Sequence, residues 1–171
     1  MKHLFYLSLT FISALTYCQS IQNLDAKNGF KEFHLGDSKN KWANQLTAID
    51  HSNYNYTGSF STAFSYPIKK IVLEFNKSDK LIKINIALGD MEKVSLDHLI
   101  NLISNSFGPP TYTYPSELSE SSIYIYENVQ YIWKGVSVMG GVLIKRINYP
   151  SFEISLIFQD KSVNKTASTD Y

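Results

Sequence analysis

The chain has 171 residues, 16 lysines and arginines against 15 aspartates and glutamates, and a formal net charge of +1. So balanced a charge provides no basic surface for nucleic acid or for an anionic membrane, and we expect neither as a partner. Hydrophobic residues make up 44% of the chain and aromatic residues 14%, a composition that can bury a core and excludes a disordered chain.

The first twenty residues have the pattern of a secretory signal peptide. Lys2 gives a positive start, and residues 4–14 form an apolar run too short to span a bilayer as a helix. We therefore expect residues 1–20 to be removed on export and the protein to be periplasmic or secreted. The alternative is a lipid anchor at Cys18 on the outer membrane, against which the bulky Tyr17 argues.

The organisation of the exported chain follows from its size and its polar ends. Cys18 is the only cysteine, so its removal excludes thiol catalysis, thiolate metal ligands and disulfides. We predict a short linker at 21–29, a single domain at 30–159 and a flexible tail at 160–171.

The first part of the domain alternates between strand and helix patterns. FKEFHLG predicts a short strand with Phe33 on its apolar face. Apolar residues at helical spacing then predict a helix over about 38–49, capped by Asp37 or Ser38. Aromatic residues at every second position predict a strand over 52–67, broken by a turn near Gly58.

A hairpin and a second helix come next. IKKIVLEF and LIKINIAL alternate apolar and polar residues on either side of the turn NKSDK. The apolar stripe of the following segment predicts a helix from about Ser95, or as early as Asp90, to Phe107. Gly108 ends this helix, and Pro109-Pro110 prevent its continuation.

The rest of the chain is predicted to be β-structure. Alternating patterns predict strands at 112–114, 123–126, 129–133, 136–147 and 152–158. The pair Gly140-Gly141 interrupts one of these strands and predicts a bulge or a bend.

These elements predict an α+β fold in the order β-α-βββ-α-ββββ. The economical arrangement is an antiparallel, mostly meander sheet with two α-helices packed on one face. Each half offers a helix followed by antiparallel strands, as a tandem duplication would, although no residue-level repeat is strong enough to establish one.

Three short segments resemble known exported proteins. FHLGDSKNKWANQL and LINLISNSFGPPT are similar to segments of the β-lactamase-inhibitor-protein-like class of helix-plus-hairpin domains. The signal pattern and YIWKG also resemble small exported proteins of Bacteroidetes-type bacteria. This resemblance implies a bacterial, non-enzymatic protein-binding domain, and no functional residues are carried over from it.

Polar residues provide only weak candidates for catalysis. Three histidines each have an aspartate nearby in sequence, as a catalytic base or a metal ligand would: His34 with Asp37, His51 with Asp50, and His98 with Asp97. They fall on three different predicted elements and lack paired ligand spacing, and Glu117, Glu120 and Glu127 fall in polar loops. We therefore expect no catalytic residues, no metal and no cofactor.

Aromatic residues on the strands are the candidate binding residues. On an open sheet face such rings bury a large area at little entropic cost, whereas inside the fold they serve as packing. The candidates are Tyr54, Tyr56, Tyr112, Tyr114, Tyr124, Tyr126, Tyr131 and Trp133.

The sequence as a whole predicts an exported binding domain that is not an enzyme. Its most favoured partner is a protein, which the domain would meet as an inhibitor, an immunity protein or an envelope accessory. The alternatives are a small-ligand or glycan-binding protein that uses the same aromatic residues, and a hydrolase that uses a histidine.

Overall fold

The computed structural model describes residues 24–114, 127–148 and 151–162. The predictions for the signal peptide, for Cys18 and for the strand at 123–126 with Tyr124 and Tyr126 lie outside these residues.

The described residues form twelve strands, one α-helix, one 310 helix and a helical turn at 24–27. The strands are β1 (Gly29–Phe30), β2 (Phe33–His34), β3 (Leu46–Ala48), β4 (Asn53–Tyr56), β5 (Thr62–Ala63), β6 (Tyr66–Pro67), β7 (Lys70–Phe75), β8 (Leu81–Met91), β9 (Tyr112–Tyr114), β10 (Glu127–Lys134), β11 (Val138–Asn148) and β12 (Ser151–Asp160). The helix α1 is Lys93–Phe107, and the 310 helix is Lys39–Gln45.

Eight of the strands form one antiparallel sheet in the order β3-β4-β7-β8-β12-β11-β10-β9. The sheet consists of two four-stranded meanders, β3-β4-β7-β8 and β9-β10-β11-β12, which are joined where β8 pairs with β12. The hairpins β1-β2 and β5-β6 each form a separate two-stranded sheet. The predicted α+β class with an antiparallel sheet is confirmed.

The most regular sequence patterns gave the most accurate boundaries. Strands β7 and β8 flank the predicted turn, and Asn76 fixes that turn because its side-chain oxygen accepts hydrogen bonds from the N–H groups of Ser78 and Lys80. Helix α1 starts two residues before the predicted Ser95 and ends at Phe107, and Gly108 follows with a positive φ of 80°.

The helix predicted at 38–49 is wrong. The structure has a 310 helix at Lys39–Gln45, within which Trp42 has non-helical φ and ψ angles of −123° and 20°. The chain then enters β3, where Leu46 pairs with Tyr56. Trp42 is buried beside Phe33, so side-chain packing and strand pairing override the helical spacing at this point.

The predicted bulge at Gly140-Gly141 is also wrong. Both glycines continue the regular pairing of β11, Gly140 with Trp133 and Gly141 with Ile132. Gly140 faces the core, where an added Cβ would lie 3.5 Å from Leu24 Cδ1, so the small residue makes room for the N-terminal turn.

One face of the large sheet carries the core. Apolar side chains of β7, β8, β11 and β12 on this face are buried, among them Leu73, Ile86, Val142 and Leu156. Helix α1 contributes four buried side chains: Leu96, Leu99, Ile103 and Phe107. The segment predicted as a linker contributes Leu24, and the β1-β2 hairpin contributes Phe30, which stacks on Phe158 at 5.9 Å.

Candidate functional site

The second face of the large sheet is the candidate functional site. Strand register places Ile132, Gly141, Ile157, Asn85 and Val72 side by side across five strands of this face. None of these residues is buried, whereas their neighbours along each strand point into the core. We call this surface the uncovered face, because these side chains are not buried among the described residues.

A hollow centred on Gly141 interrupts the uncovered face. Gly141 lies between Ile132 and Ile157 across the sheet, and between Met139 and Leu143 along its own strand. The resulting cavity has a volume of about 210 Å³, and Lys83 and Gln159 complete its lining. A Cβ on Gly141 would meet no atom closer than the Tyr131 carbonyl oxygen at 3.6 Å, so the floor of the hollow is open.

The size of the hollow limits what it can hold. Pockets for drug-sized ligands have volumes of roughly 300–1,000 Å³ and enclose most of the ligand. A shallow apolar cavity of about 210 Å³ is smaller than these pockets. It suits one apolar side chain of another protein.

Two amide oxygens in the same cross-strand row as Gly141 lack a hydrogen-bond partner among the described residues. Asn85 and Asn55 flank Val72 in the same cross-strand row. Their Oδ1 atoms are inaccessible to water and accept no hydrogen bond within the described part of the chain. Such an oxygen costs about 1–3 kcal/mol when it is left unpaired. Because water does not reach these two atoms, a donor from another molecule does not reach them either.

Both ends of the uncovered face carry charged residues. At one end, Lys83 Nζ lies 3.7 Å from Glu74 Oε2. At the other end, Asp90 stands opposite Glu153 in the register of β8 and β12. Lys69 reaches Asp90 from outside the sheet, with Nζ 3.5 Å from Oδ1. Strand pairing also sets Lys145 opposite Glu153, so each end carries both a lysine and an acid. On β8 itself, Lys83 lies at one end and Asp90 at the other.

Two of the candidate aromatic residues are buried. Tyr56 is packed between Phe33 and Phe60, and its hydroxyl donates to Glu32 Oε1 at 3.2 Å. Burial and the negative charge of Glu32 both raise the pKa of Tyr56. Trp133 is 3% exposed, and its Nε1–H donates to the Gly108 carbonyl at 2.7 Å, which ties the end of α1 to β10.

Two more candidates are half-buried against the core. Tyr54 packs edge-on against Phe75 at 5.7 Å, and Lys39 Nζ lies over its ring at 4.8 Å. Tyr131 pairs with the buried Val142, on the side of the sheet that α1 covers. Its pKa is raised by burial and by the charge of Asp97 on that helix.

The candidate aromatic residues therefore do not share the uncovered face as a group. The four with described side chains lie on the packed side or in the core, and strand pairing places Tyr112 opposite Ile132 and Tyr114 opposite Gln130. Sequence reasoning missed the hollow at Gly141. The signal for it was present as a glycine pair that interrupts an otherwise apolar strand.

The histidines lie apart from one another. His34 Nδ1 is 3.7 Å from Asp37 Oδ2, but that carboxylate is already bound by Lys41 Nζ at 2.7 Å. His98 Nδ1 lies 3.0 Å from the hydroxyl of Tyr66, which donates to the Ser95 carbonyl at 2.8 Å. The described residues include no group of three or more His, Cys, Asp or Glu side chains that would hold a metal ion.

Comparisons of the chain with protein-family models, with curated proteins and with solved structures found no match. Among the described residues, no helix has the length and apolar character needed to cross a membrane.

Proposed function

We propose that the protein is an exported, non-enzymatic binding domain that presents the uncovered face of its sheet to a protein partner. The hollow at Gly141 is the observation that carries this proposal. A sheet face of a lone domain is normally polar, whereas this one surrounds a cavity with four apolar side chains: Ile132, Met139, Leu143 and Ile157.

The apolar lining of the hollow favours a protein partner. A protein offers an apolar side chain that can enter the hollow. The resemblance to helix-plus-hairpin binding domains also favours a protein partner. The small size of the hollow makes it a poor site for a glycan or other small ligand.

Photo-crosslinking in the source cells tests this function. A benzophenone amino acid in place of Ile157 would lie beside the hollow, and the same amino acid in place of Val136 would be on a turn where the native side chain is 76% exposed. We expect a polypeptide adduct from position 157 and none from position 136.

The hollow itself is tested by filling it. Gly141 does not have a positive φ, and its Cβ position is open, so Gly141→Leu is expected to fold and to block the cavity. The adduct from position 157 should then disappear while the thermal unfolding midpoint stays the same. An adduct that forms equally from positions 157 and 136, or that survives Gly141→Leu, would contradict the proposed function.

A further inference from the structure

The uncovered face includes four cross-strand rows, and two positions of β8 in its outer rows carry opposite charges. The first row includes Lys134, Met139, Gln159, Lys83 and Glu74, and the fourth row includes Lys145, Glu153 and Asp90. The second row includes Ile132, Gly141, Ile157, Asn85, Val72 and Asn55, and the third row includes Leu143, Ser155, Ala87 and Lys70.

We infer that the protein partner of the uncovered face is a second copy of the same chain. This inference rests on the proposed function, and it adds the identity of the partner. The two copies pack face to face about a two-fold axis that lies in the interface, perpendicular to the strands and between the second and third rows. Such an axis sets the second row against the third row of the other copy, and the first row against the fourth.

The first consequence of this axis is a reciprocal fit at the hollow. Gly141 and Leu143 are two residues apart on the same face of β11, one in the second row and one in the third. The axis therefore places Leu143 of each copy over Gly141 of the other. The dimer therefore has two hollows of about 210 Å³, and each of them receives one leucine side chain.

The second consequence concerns Lys70. Lys70 is in the third row of β7, and Val72 is in the second row of the same strand. Lys70 of the second copy is therefore set over Val72. Lys70 is exposed, so its aliphatic stem can lie on Val72 while its ammonium group stays in water.

The third consequence is charge pairing at both ends of the interface. The axis sets Lys83 of one copy against Asp90 of the other, and symmetry repeats this contact. Among the described residues, Lys83 Nζ lies 3.7 Å from Glu74 Oε2 and Asp90 Oδ1 lies 3.5 Å from Lys69 Nζ, both longer than a close ion pair. Opposite charges that meet in this way fix the register of the two sheets and exclude a parallel arrangement.

The area of the face is close to what a dimer needs. At ordinary strand and residue spacings, five strands and four rows cover roughly 24 Å by 27 Å. Stable interfaces bury about 800 Å² per partner, so this face corresponds to the lower end of specific association. We therefore expect a dimer that dissociates on dilution.

Sedimentation equilibrium of two charge-reversed variants tests the inference. The chain, processed as it is in the cell, should change from monomer to dimer as its concentration is raised over roughly 1–500 µM. Lys83→Glu alone and Asp90→Lys alone each place like charges at both ends of the interface, so each should weaken the dimer by about a hundredfold. The 1:1 mixture should form a heterodimer, because both of its contacts again join opposite charges.

Two controls make the outcome decisive. Lys77→Glu makes the same charge change in the β7–β8 turn, off the uncovered face, and should leave the dimer intact. Circular dichroism shows whether each variant is folded. If the two variants do not recover association when mixed, or if the unmodified chain stays monomeric throughout the range, the inference is overturned.

The same experiments separate the inference from the function on which it rests. A photo-crosslinked adduct of twice the mass of the chain supports both. If the chain is monomeric and the adduct contains a different polypeptide that Gly141→Leu removes, the binding function stands and self-association does not.

Discussion

At the residue scale, the Asp25 carboxylate joins the N-terminal turn to the second half of the chain. It accepts hydrogen bonds from the backbone N–H groups of Val136, Ser137 and Val138, at 2.5, 2.9 and 3.0 Å. A Cβ on Gly135 would lie 2.5 Å from Asp25 Oδ1, so this close approach requires glycine. The N-terminal turn is thereby fixed to the β10–β11 connection.

Replacement of this carboxylate should destabilise the fold in a pH-dependent way. Burial raises the pKa of Asp25, but the three N–H donors and the charge of Lys161 lower it further, so it lies below the ordinary 3.8. The stabilisation is therefore fully present above about pH 4 and is lost as the pH falls through the folded-state pKa. At pH 7, Asp25→Asn should reduce the free energy of unfolding by about 1–3 kcal/mol, as measured by urea denaturation.

Asp50→Asn is the matched control. Asp50 also accepts backbone N–H bonds, but only from Ser52 and Asn53 in its own turn. We expect a smaller loss than for Asp25→Asn. If the loss of unfolding free energy caused by Asp25→Asn is the same at pH 7 and at pH 3, the carboxylate charge does not stabilise the fold.

The role of Asp25 could not be predicted from the sequence. Its hydrogen-bond partners lie 111 to 113 residues further along the chain, and the surrounding IQNLDAKNG has the composition of a linker. The hollow at Gly141 was missed for a related reason. A glycine in a strand pattern indicates a missing side chain, but not the four side chains that surround the gap.

At the element scale, the sequence predicted the strands and α1 better than the face that each strand covers. Alternation in β10 separates Ile132 from Tyr131 and Trp133, but it does not say which set faces α1. The structure puts both aromatic residues on the side of α1 and Ile132 on the uncovered face. The choice depends on the hydrogen bond from Trp133 to Gly108 and on the position of Asp97 near Tyr131, and both of these partners are distant in sequence.

Two neighbouring residues of β12 test the assignment of the faces. Leu156 is 1% exposed on the core face, so Leu156→Ala should cost about 2–5 kcal/mol of unfolding free energy. Ile157 is half-buried on the uncovered face, so Ile157→Ala should cost the monomer about 1 kcal/mol or less. Urea denaturation at low protein concentration measures both values. Equal losses would mean that both faces of the sheet are covered.

At the scale of the whole molecule, the two meanders have the same plan. A 310 helix precedes β3, β4, β7 and β8, and α1 precedes β9 to β12. Both meanders pack their inner side chains into one core, which continues across the pairing of β8 with β12. In the part of the chain that the structure describes, α1 and the β1-β2 hairpin contribute buried side chains to the core, and the second face carries half-buried side chains such as Ile157.

The central claim is that the uncovered face is the contact surface between two copies of the chain. Methyl NMR spectra recorded during dilution test this claim most directly. We predict that the methyl resonances of Ile132, Leu143 and Ile157 shift with protein concentration along one binding curve. Those of Val94 and Val136, which are 79% and 76% exposed elsewhere, should stay constant. Shifts at Val94 or Val136 instead, or no shift at Ile132, Leu143 and Ile157, would contradict the claim.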